Sequence, residues 1–483
     1  MANAYDLVRY PNLPFAKTHP AALGVFAALF GKPFAPFAAS RVLEIGCGEG
    51  INLLSMALGA RAAEFVGVDL AEAPISLARE AVQALGLANV RFHVQDIVDM
   101  DATLGRFDYV IAHGVYSWVP PAAREALMRI VGELLAPNGL AFISYNAHPG
   151  SRIRQVLRDL LLNATAGIAD PLEKLGVARS VLAYQIENWS EAEPLQQAMI
   201  AQARQMLMRP PEVLYHDELG AFFEPRLLSD VIAAARAVGL DYLCDAQPQL
   251  CAEALFPTET FAAAQPFASG DWGRFEQLQD FRDMRSFRNS IFCRGGVDRR
   301  LEVQRLRGLW AGGELQATDS DSKTPDVFAF RGADGVEITT NDPKLAQFLV
   351  NVGAAFPASV PLDAAAGDPD LAVQVLRLFV TKALRISAAP FPFTLTPGAR
   401  PNVSPLARFQ AARGEKTLAS LRHSAVRIED AATCAFVTLV DGTRTRDDLV
   451  REIVQQTGAA AEVASVQLSA ALTKMAKLGL MMG

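Results

Sequence analysis

A glycine-rich turn after a short apolar segment is the feature of this 483-residue sequence with the clearest chemical meaning. The segment Arg41–Ile45 is rich in aliphatic residues and runs into the pattern E-x-G-x-G-x-G, which begins at Glu44. Glycines let the backbone approach a ligand at positions where side chains would block it. The next apolar segment, Glu64–Asp69, ends in an acid, and a carboxylate there can accept hydrogen bonds from both hydroxyls of a ribose. The pattern predicts a nucleoside-binding α/β fold.

Short apolar segments alternate with helical patterns over the first third of the chain. Strands are predicted at 41–45, 64–69, 90–94, 107–112 and 140–144. This alternation is typical of parallel βαβ units with right-handed crossovers. Residues 151–210 have a helical pattern, and two strand-like segments follow at 240–244 and 290–293. These two strands are expected to complete the same sheet, so the fold class is α/β with a helical insertion at 151–216.

The turn resembles motif I of class I S-adenosylmethionine-dependent methyltransferases and differs from the dinucleotide-binding pattern G-x-G-x-x-G. The resemblance implies a Rossmann-like sheet and S-adenosylmethionine as the cofactor. It also implies that the turn and the end of the second strand hold the amino-acid and ribose portions of the cofactor, through Glu44, Gly46, Gly48 and Asp69. Cys47 and Leu70, beside them, are expected to bind the cofactor as well. Asp96 and Ile97, after the third strand, are expected to contact the adenine. His113, after the fourth strand, is expected at the cofactor through its side chain or its backbone.

Further segments are similar to a bacterial methyltransferase family that carries a methyltransferase regulatory domain. They are Y-P-x-x-P-F-x-x-T-H-P from Tyr10, H-G-V-Y-S-W-V-P-P from His113 and S-Y-N from Ser144. Residues 280–293 are similar to the end of the regulatory region, and 400–408 and 441–443 to the family's C-terminal domain. The family includes rickettsial protein-lysine methyltransferases that act on outer-membrane proteins. Ser151 departs from the pattern, because relatives often have an aromatic residue there. This departure bears more on which substrate the resemblance implies than on which cofactor it implies.

The resemblance implies a lysine acceptor on a protein substrate, with outer-membrane or surface proteins as the first candidates. A lysine must lose a proton before it accepts a methyl group, which costs roughly 4–5 kcal/mol at pH 7 from an ordinary pKa near 10.4. An apolar aromatic slot lowers that pKa. Tyr116, Trp118 and Tyr145 follow the predicted fourth and fifth strands and are expected to line such a slot, with Asn146 orienting the acceptor. The alternative for Tyr116 and Trp118 is that they cap the core beneath a loop.

Composition limits the other possibilities. Apolar residues make up 51% of the chain and charged residues 20%, which excludes a mainly disordered protein. The net charge of −7 disfavours nucleic acid as a partner. The five cysteines form no C-x-x-C pair and the six histidines are scattered, so no metal site is expected. No membrane insertion is expected, and the chain is predicted to be a soluble cytoplasmic protein.

The chain is predicted to have five parts. They are a cofactor-binding core at 1–150, the helical insertion at 151–216, a regulatory region at 217–298 that completes the sheet, a middle domain at 299–390 and a C-terminal domain at 391–483. The last two are expected to be small α/β or winged-helix-like domains. The family resemblance suggests a homodimer formed through 151–210. Two other functions remain open: methyl transfer to a small molecule or a nucleic acid, and cofactor binding without turnover as a scaffold.

Overall fold

A seven-stranded sheet organises the computed structural model, which describes residues 4–318, 327–332 and 335–483. Its strands are β1 Arg41–Ile45, β2 Glu64–Asp69, β3 Val90–Val94, β4 Phe107–Ala112, β5 Leu135–Asn146, β6 Asp241–Asp245 and β7 Phe287–Cys293. Their order across the sheet is β3-β2-β1-β4-β5-β7-β6. Strands β1 to β5 pair in parallel, whereas β7 pairs antiparallel with both β5 and β6. The order reverses between β1 and β4, so the ligand crevice of such a sheet lies beyond the carboxyl ends of these strands.

Helices cover both faces of this sheet. Those in its first half are α1 Ala4–Leu7, α2 Pro20–Leu29, α3 Ile51–Gly59, α4 Glu72–Leu85 and α5 Pro121–Leu134. Successive strand residues face opposite sides, so Val42 packs in the core that includes α3 while Leu43 packs in the core that includes α5. Burial on both faces explains why these strands are nearly continuous apolar runs. The predicted α/β class is confirmed.

Four helices follow β5 and form the predicted insertion: α6 Ser151–Ala164, α7 Pro171–Asn188, α8 Pro194–Leu207 and α9 Pro211–Leu219. They have a core of their own, built around Leu157, Leu161, Leu182, Met206 and Leu214. The helices run three residues beyond the predicted end of the insertion at 216. That boundary therefore falls inside α9. The helix ends before Gly220, which is the signal in the sequence for its end.

The two strands after the insertion complete the sheet, as predicted. They are accompanied by α10 Leu228–Ala237, α11 Ala252–Leu255, α12 Glu259–Ala268 and α13 Trp272–Arg282. Helix α10 packs on the α5 side of the sheet through Leu228, Val231 and Ile232.

The described residues of the predicted middle domain form two small sheets and three helices. Strands β8 Trp310–Gly312, β12 Val360–Pro361 and β13 Arg385–Ser387 form one sheet, and β9 Leu315–Thr318, β10 Phe328–Gly332 and β11 Glu337–Thr340 form the other. The helices are α14 Pro343–Ala355, α15 Asp363–Ala366 and α16 Pro369–Val380. Phe379 lies 6.1 Å from Phe26 of α2, ring centre to ring centre, within one continuous apolar core. This part of the chain therefore shares its core with the large sheet.

The C-terminal part is a compact set of helices with a short hairpin. Its elements are α17 Pro405–Ala412, β14 Thr417–Ala419, β15 Ala425–Arg427, α18 Ala431–Leu439, α19 Arg446–Thr457 and α20 Ala461–Lys477. They bury a separate core that includes Leu418, Val437, Leu449 and Leu472. No helix in the described ranges of the chain is both long and apolar enough to span a bilayer.

Candidate functional site

The glycine turn leaves β1 at the point where the strand order reverses. Gly46, Gly48 and Gly50 all have positive φ, at 75°, 53° and 72°. A side chain at Gly46 would collide with Val115, and one at Gly50 would collide with Phe92. Only glycine fits both the backbone conformation and the available space at these two positions. The turn therefore passes close to its neighbours and ends directly at the first turn of α3, where free backbone N–H groups favour a negative or polar ligand group.

Asp69, at the end of β2, lies against this turn. Its Oδ2 accepts a hydrogen bond from the backbone N–H of Gly48 at 2.8 Å, and its Oδ1 accepts from that of Ala71 at 2.9 Å. These two bonds fix the plane of the carboxylate next to the turn. A carboxylate oxygen has room for more than one donor, so this geometry is compatible with the predicted acceptance from ribose hydroxyls.

Glu44 is buried beneath the turn, with 3% of its surface exposed. Its Oε1 accepts a hydrogen bond from Asn52 Nδ2 at 2.8 Å, while Oε2 has no hydrogen-bond partner among the described residues. Burial raises the pKa of Glu44 to about 8, with a smaller contribution from Asp69. A buried carboxylate oxygen without a partner is costly, and a cationic ligand group would remove that cost.

Asp96 and Ile97, predicted for the adenine, follow β3, and Leu70 follows β2, its neighbour in the sheet. Leu70 is exposed, whereas Asp96 and Ile97 are half-buried. Asp96 Oδ1 accepts from the backbone N–H of Val98 at 2.9 Å and caps a short helical turn, Ile97–Asp99. The structure thus places two partly exposed apolar side chains, Leu70 and Ile97, on adjacent strand ends at the same edge as the glycine turn.

His113 follows β4 and faces β5. Ser144 Oγ accepts from the backbone N–H of Gly114 at 2.9 Å and lies within hydrogen-bond distance of His113 Nδ1, at 2.8 Å. Burial lowers the pKa of His113 to about 4, and the ring is neutral at physiological pH. Phe15 of the N-terminal segment contacts the ring edge-on at 4.1 Å between centres. Cys47 is also buried, and burial raises the pKa of its thiol.

Among the predicted acceptor residues, Tyr116 and Trp118 follow β4, whereas Tyr145 and Asn146 are the last two residues of β5, and they differ in burial. Tyr145 is 1% exposed with its hydroxyl 3.1 Å from Ser290 Oγ, and Tyr116 is 3% exposed with its ring centre 5.9 Å from that of Tyr145. Trp118 is half-buried and packs on Phe223 at 5.0 Å. The aromatic residues are therefore neighbours, with the two tyrosines in the core and Trp118 nearer the surface.

Asn146, the last residue of β5, joins this cluster to the helical insertion. Its Oδ1 accepts from Arg154 Nη1 of α6 at 3.2 Å, and its Nδ2 is buried without a partner in the described part of the chain. The Arg154 guanidinium also lies 5.2 Å from the ring centre of Trp118 and pairs with Asp217 and Glu218 of α9. The insertion thus contributes charged side chains directly behind the predicted acceptor residues.

Three contributions to the site were missed by the sequence prediction. Asn52 on α3 holds Glu44, and Arg9 makes a two-pronged ion pair with Glu49 of the glycine turn, with its Nη2 2.6 Å from Glu49 Oε2. His423, from the C-terminal part, donates to Asn52 Oδ1 at 2.8 Å. A polar residue in the otherwise apolar first turns of α3 was a signal for Asn52, whereas nothing local in the sequence indicates Arg9 or His423. No group of three or more metal-ligating side chains occurs among residues that the structure describes.

The fold and the site are those of a class I S-adenosylmethionine-dependent methyltransferase. The defining features are the order of the parallel strands, the antiparallel β7, the glycine turn after β1 and the acid at the end of β2. Residues 42–139 match a methyltransferase domain, residues 210–294 a predicted methyltransferase regulatory domain, and residues 399–478 the C-terminal winged helix domain of PKMT, the protein-lysine methyltransferases. The chain belongs to the family of class I methyltransferases that carry this regulatory domain.

Two relatives come from Rickettsia prowazekii. The chain is 33% identical over 292 residues to the uncharacterized protein RP789 of Rickettsia prowazekii, covering 60% of this chain and 52% of that protein. It is 34% identical over 181 residues to the uncharacterized protein RP028 of the same organism, covering 38% of this chain and 72% of that protein. The chain thus spans about half the length of RP789. The fold is similar to that of PKMT2 from Rickettsia typhi in complex with AdoHcy, with a TM-score of 0.84 and 22% identity over 98% of this chain and 100% of that chain.

The residues of the site fit S-adenosylmethionine, the cofactor of this class. The unpartnered oxygen of Glu44 suits the cationic amino group, and the turn of positive-φ glycines leaves its backbone accessible beside Asp69. The predicted fold class and cofactor are confirmed. The roles of the individual residues remain predictions.

Proposed function

We propose that this protein transfers the methyl group of S-adenosylmethionine to lysine side chains of protein substrates. The observation that carries the proposal is the match of residues 399–478 to the winged helix domain of protein-lysine methyltransferases. It is supported by the similarity of fold to PKMT2 along nearly the whole chain. A methyltransferase for a small metabolite needs the cofactor core but has no evident use for such an appended domain.

The cofactor supplies an activated methyl group, and the protein's part is to position the acceptor and exclude water. We assign the cofactor's amino-acid and ribose portions to Glu44, the glycine turn and Asp69, and its adenine to the strand ends at Leu70 and Ile97. The neutral ring of His113 adds no positive charge near a cationic cofactor. These side chains bind and orient, and none is required to form a covalent bond.

The acceptor is proposed to enter at Trp118 and Asn146. Trp118 offers an aromatic surface to the apolar stem of a lysine, and the buried, unpartnered Nδ2 of Asn146 is a hydrogen-bond donor without a partner in the described structure. Tyr116 and Tyr145 lie deeper, and we propose that they support this wall from within the core. An apolar wall lowers the pKa of a bound lysine and favours its neutral, nucleophilic form.

Mass spectrometry of a methylated substrate tests the acceptor directly. We expect an unfolded outer-membrane or surface protein, incubated with the enzyme and S-adenosylmethionine, to gain methyl groups on lysine. The same substrate with its lysines acetylated beforehand is the matched control and should gain none, because acetylation removes the nucleophilic amine. Methyl groups on glutamate, glutamine or arginine, or transfer to small molecules alone, would refute the lysine proposal and leave the methyltransferase class standing.

The insertion is proposed to form a homodimer of a cytoplasmic enzyme. Leu157 and Leu161 of α6 lie in the core of the insertion, so they are not available to an interface. Other apolar side chains remain exposed on α7 and α8, namely Leu172, Tyr184 and Leu195. A shallow cavity along α7 is lined by Val177 and Tyr184. Exposed apolar side chains on two consecutive helices of the insertion suit a two-fold interface.

Sedimentation of the intact chain at micromolar concentration tests this assembly. We expect a dimer for the natural sequence and a monomer for Leu172→Glu, because a charge in an apolar interface loses its solvation without gaining a partner. Phe267→Glu, at an equally exposed apolar residue of α12, is the matched control and should remain dimeric. A monomer for the natural sequence would exclude this interface.

A further inference from the structure

A chain of buried hydrogen bonds connects the cofactor-binding strand β1 with the C-terminal hairpin of β14 and β15. Glu44 Oε1 accepts from Asn52 Nδ2 at 2.8 Å, and Asn52 Oδ1 accepts from His423 Nε2 at 2.8 Å. His423 Nδ1 lies 3.1 Å from Ser55 Oγ, on the same helix as Asn52. Glu44, Asn52 and His423 are each at most 3% exposed. The chain therefore runs through the protein interior, where hydrogen bonds hold orientation most strictly.

We propose that the winged-helix part of the chain completes the cofactor site, with His423 acting as a positioning residue that holds Asn52 and, through it, the carboxylate of Glu44. The proposal rests on the assignment of Glu44 to the amino group of the cofactor. It gives the C-terminal part a role in cofactor binding, beyond the recognition of a substrate.

The orientation of Asn52 is determined by its surroundings. The backbone N–H of Phe15 donates to Oδ1 at 2.9 Å, so the oxygen of the amide has to face that donor. The amide nitrogen then faces Glu44 and the hydroxyl of Thr18, at 2.8 and 3.0 Å. His423 supplies the second donor to Oδ1. With it, both hydrogens and both acceptor positions of the amide are used, which is the full capacity of an asparagine side chain.

His423 reaches α3 because the hairpin that carries it has a tight turn. Its backbone has φ 53°, a left-handed conformation that is rare for a residue with a side chain. The turn is held by the hydrogen bond from His423 N to Ser420 O at 3.0 Å and by the Ser420 and Ser424 hydroxyls at 2.8 Å. Such a conformation persists where the surroundings fix it. Burial keeps the pKa of His423 well below its ordinary value, with a contribution from His19, so the ring is a neutral donor at Nε2.

Ion pairs of two arginines, Arg9 and Arg413, also link the C-terminal part to the cofactor-binding core. Arg9 bridges Glu49 of the glycine turn and Glu415, and Arg413 pairs with Glu80 of α4 at 2.8 Å. The Arg413 pair is exposed and lies outside the buried chain of hydrogen bonds. Removing this pair therefore tests whether docking of the C-terminal part alone affects cofactor binding, independently of His423.

Calorimetric titration with S-adenosylhomocysteine, the methyl-free form of the cofactor, tests the proposal without any turnover. We expect His423→Phe, which keeps a ring but loses the donor, to weaken binding about tenfold, the scale of one buried hydrogen bond. His423→Gln, whose amide nitrogen can take the place of Nε2, should bind within about threefold of the natural chain. Arg413→Ala should bind within about twofold, as expected for an exposed ion pair.

Each outcome decides between named alternatives. Unchanged binding by a folded His423→Phe overturns the proposal, and so does equal weakening by His423→Phe and Arg413→Ala, since docking alone would then explain the effect. If His423→Phe does not fold, failure of the folded His423→Gln to bind within the expected range refutes the donor role. Failure of the natural chain to bind S-adenosylhomocysteine would instead count against the cofactor assignment itself.

Discussion

Replacing Asp69 by alanine is expected to weaken the binding of S-adenosylhomocysteine by roughly 10- to 150-fold, the equivalent of about 1.5–3 kcal/mol for lost charge-assisted hydrogen bonds. The carboxylate also holds the backbone N–H groups of Gly48 and Ala71, so its removal loosens the glycine turn as well. Both effects act in the same direction on affinity. Calorimetric titration of the folded variant measures the change.

Asp108 provides a matched control for Asp69. Its Oδ2 accepts from the backbone N–H of Arg41 at 2.8 Å, the same kind of bond at the same length. Asp108 lies at the amino-terminal ends of the strands, whereas Asp69 lies at a carboxyl end. Asp108→Ala is therefore expected to cost stability without changing affinity for the ligand. A folded Asp69→Ala that binds as tightly as the natural chain would show that Asp69 does not hold the ribose.

The sheet was predictable from the sequence because its strands are buried on both faces and read as compact apolar runs. The exception is β5, which begins at Leu135, ahead of the predicted 140–144. Pro137, Asn138 and Gly139 are typical of a turn. In the structure Leu135 pairs with Phe107, and an irregularity between Phe107 and Tyr109 carries the pairing across this stretch. A long-range pairing therefore prevails over the local signal.

The acceptor side was harder to predict than the cofactor side. Glycines after one strand and an acid at the end of the next indicate a nucleoside-binding site. An aromatic residue near the end of a strand, in contrast, can face either the ligand crevice or the core. Tyr145 is in the core, which the sequence does not reveal, because its partner Ser290 comes from a strand far along the chain. The contact of His423 with Asn52 is of the same kind: it joins residues 371 positions apart and depends on how separate parts of the chain pack.

Glu44→Gln is expected to abolish a proton release that accompanies ligand binding. Burial raises the pKa of Glu44 to about 8, and Asp69 adds to this while the hydrogen bond from Asn52 opposes it. At pH 7 the unliganded carboxyl is thus mainly protonated. The amino group of the ligand favours the carboxylate, so the natural chain should release close to one proton per S-adenosylhomocysteine bound. Titration at pH 7 in two buffers of different ionisation enthalpy measures that number, and Glu44→Gln should release none and bind about tenfold more weakly or worse.

Glu44→Gln, which is expected to weaken ligand binding, is expected to stabilise the unliganded protein at high pH. A carboxyl whose pKa is higher in the folded state than in the unfolded state stabilises the fold fully below its unfolded pKa, and that contribution is lost as the pH rises through about 8. Glutamine resembles the protonated form at every pH. In denaturant unfolding without ligand, Glu44→Gln should therefore match the natural chain at about pH 4 and exceed its free energy of unfolding at pH 8.5. Equal pH dependence for both proteins, together with no proton release, would show that Glu44 is ionised before the ligand arrives and that its buried oxygen is not kept for the amino group.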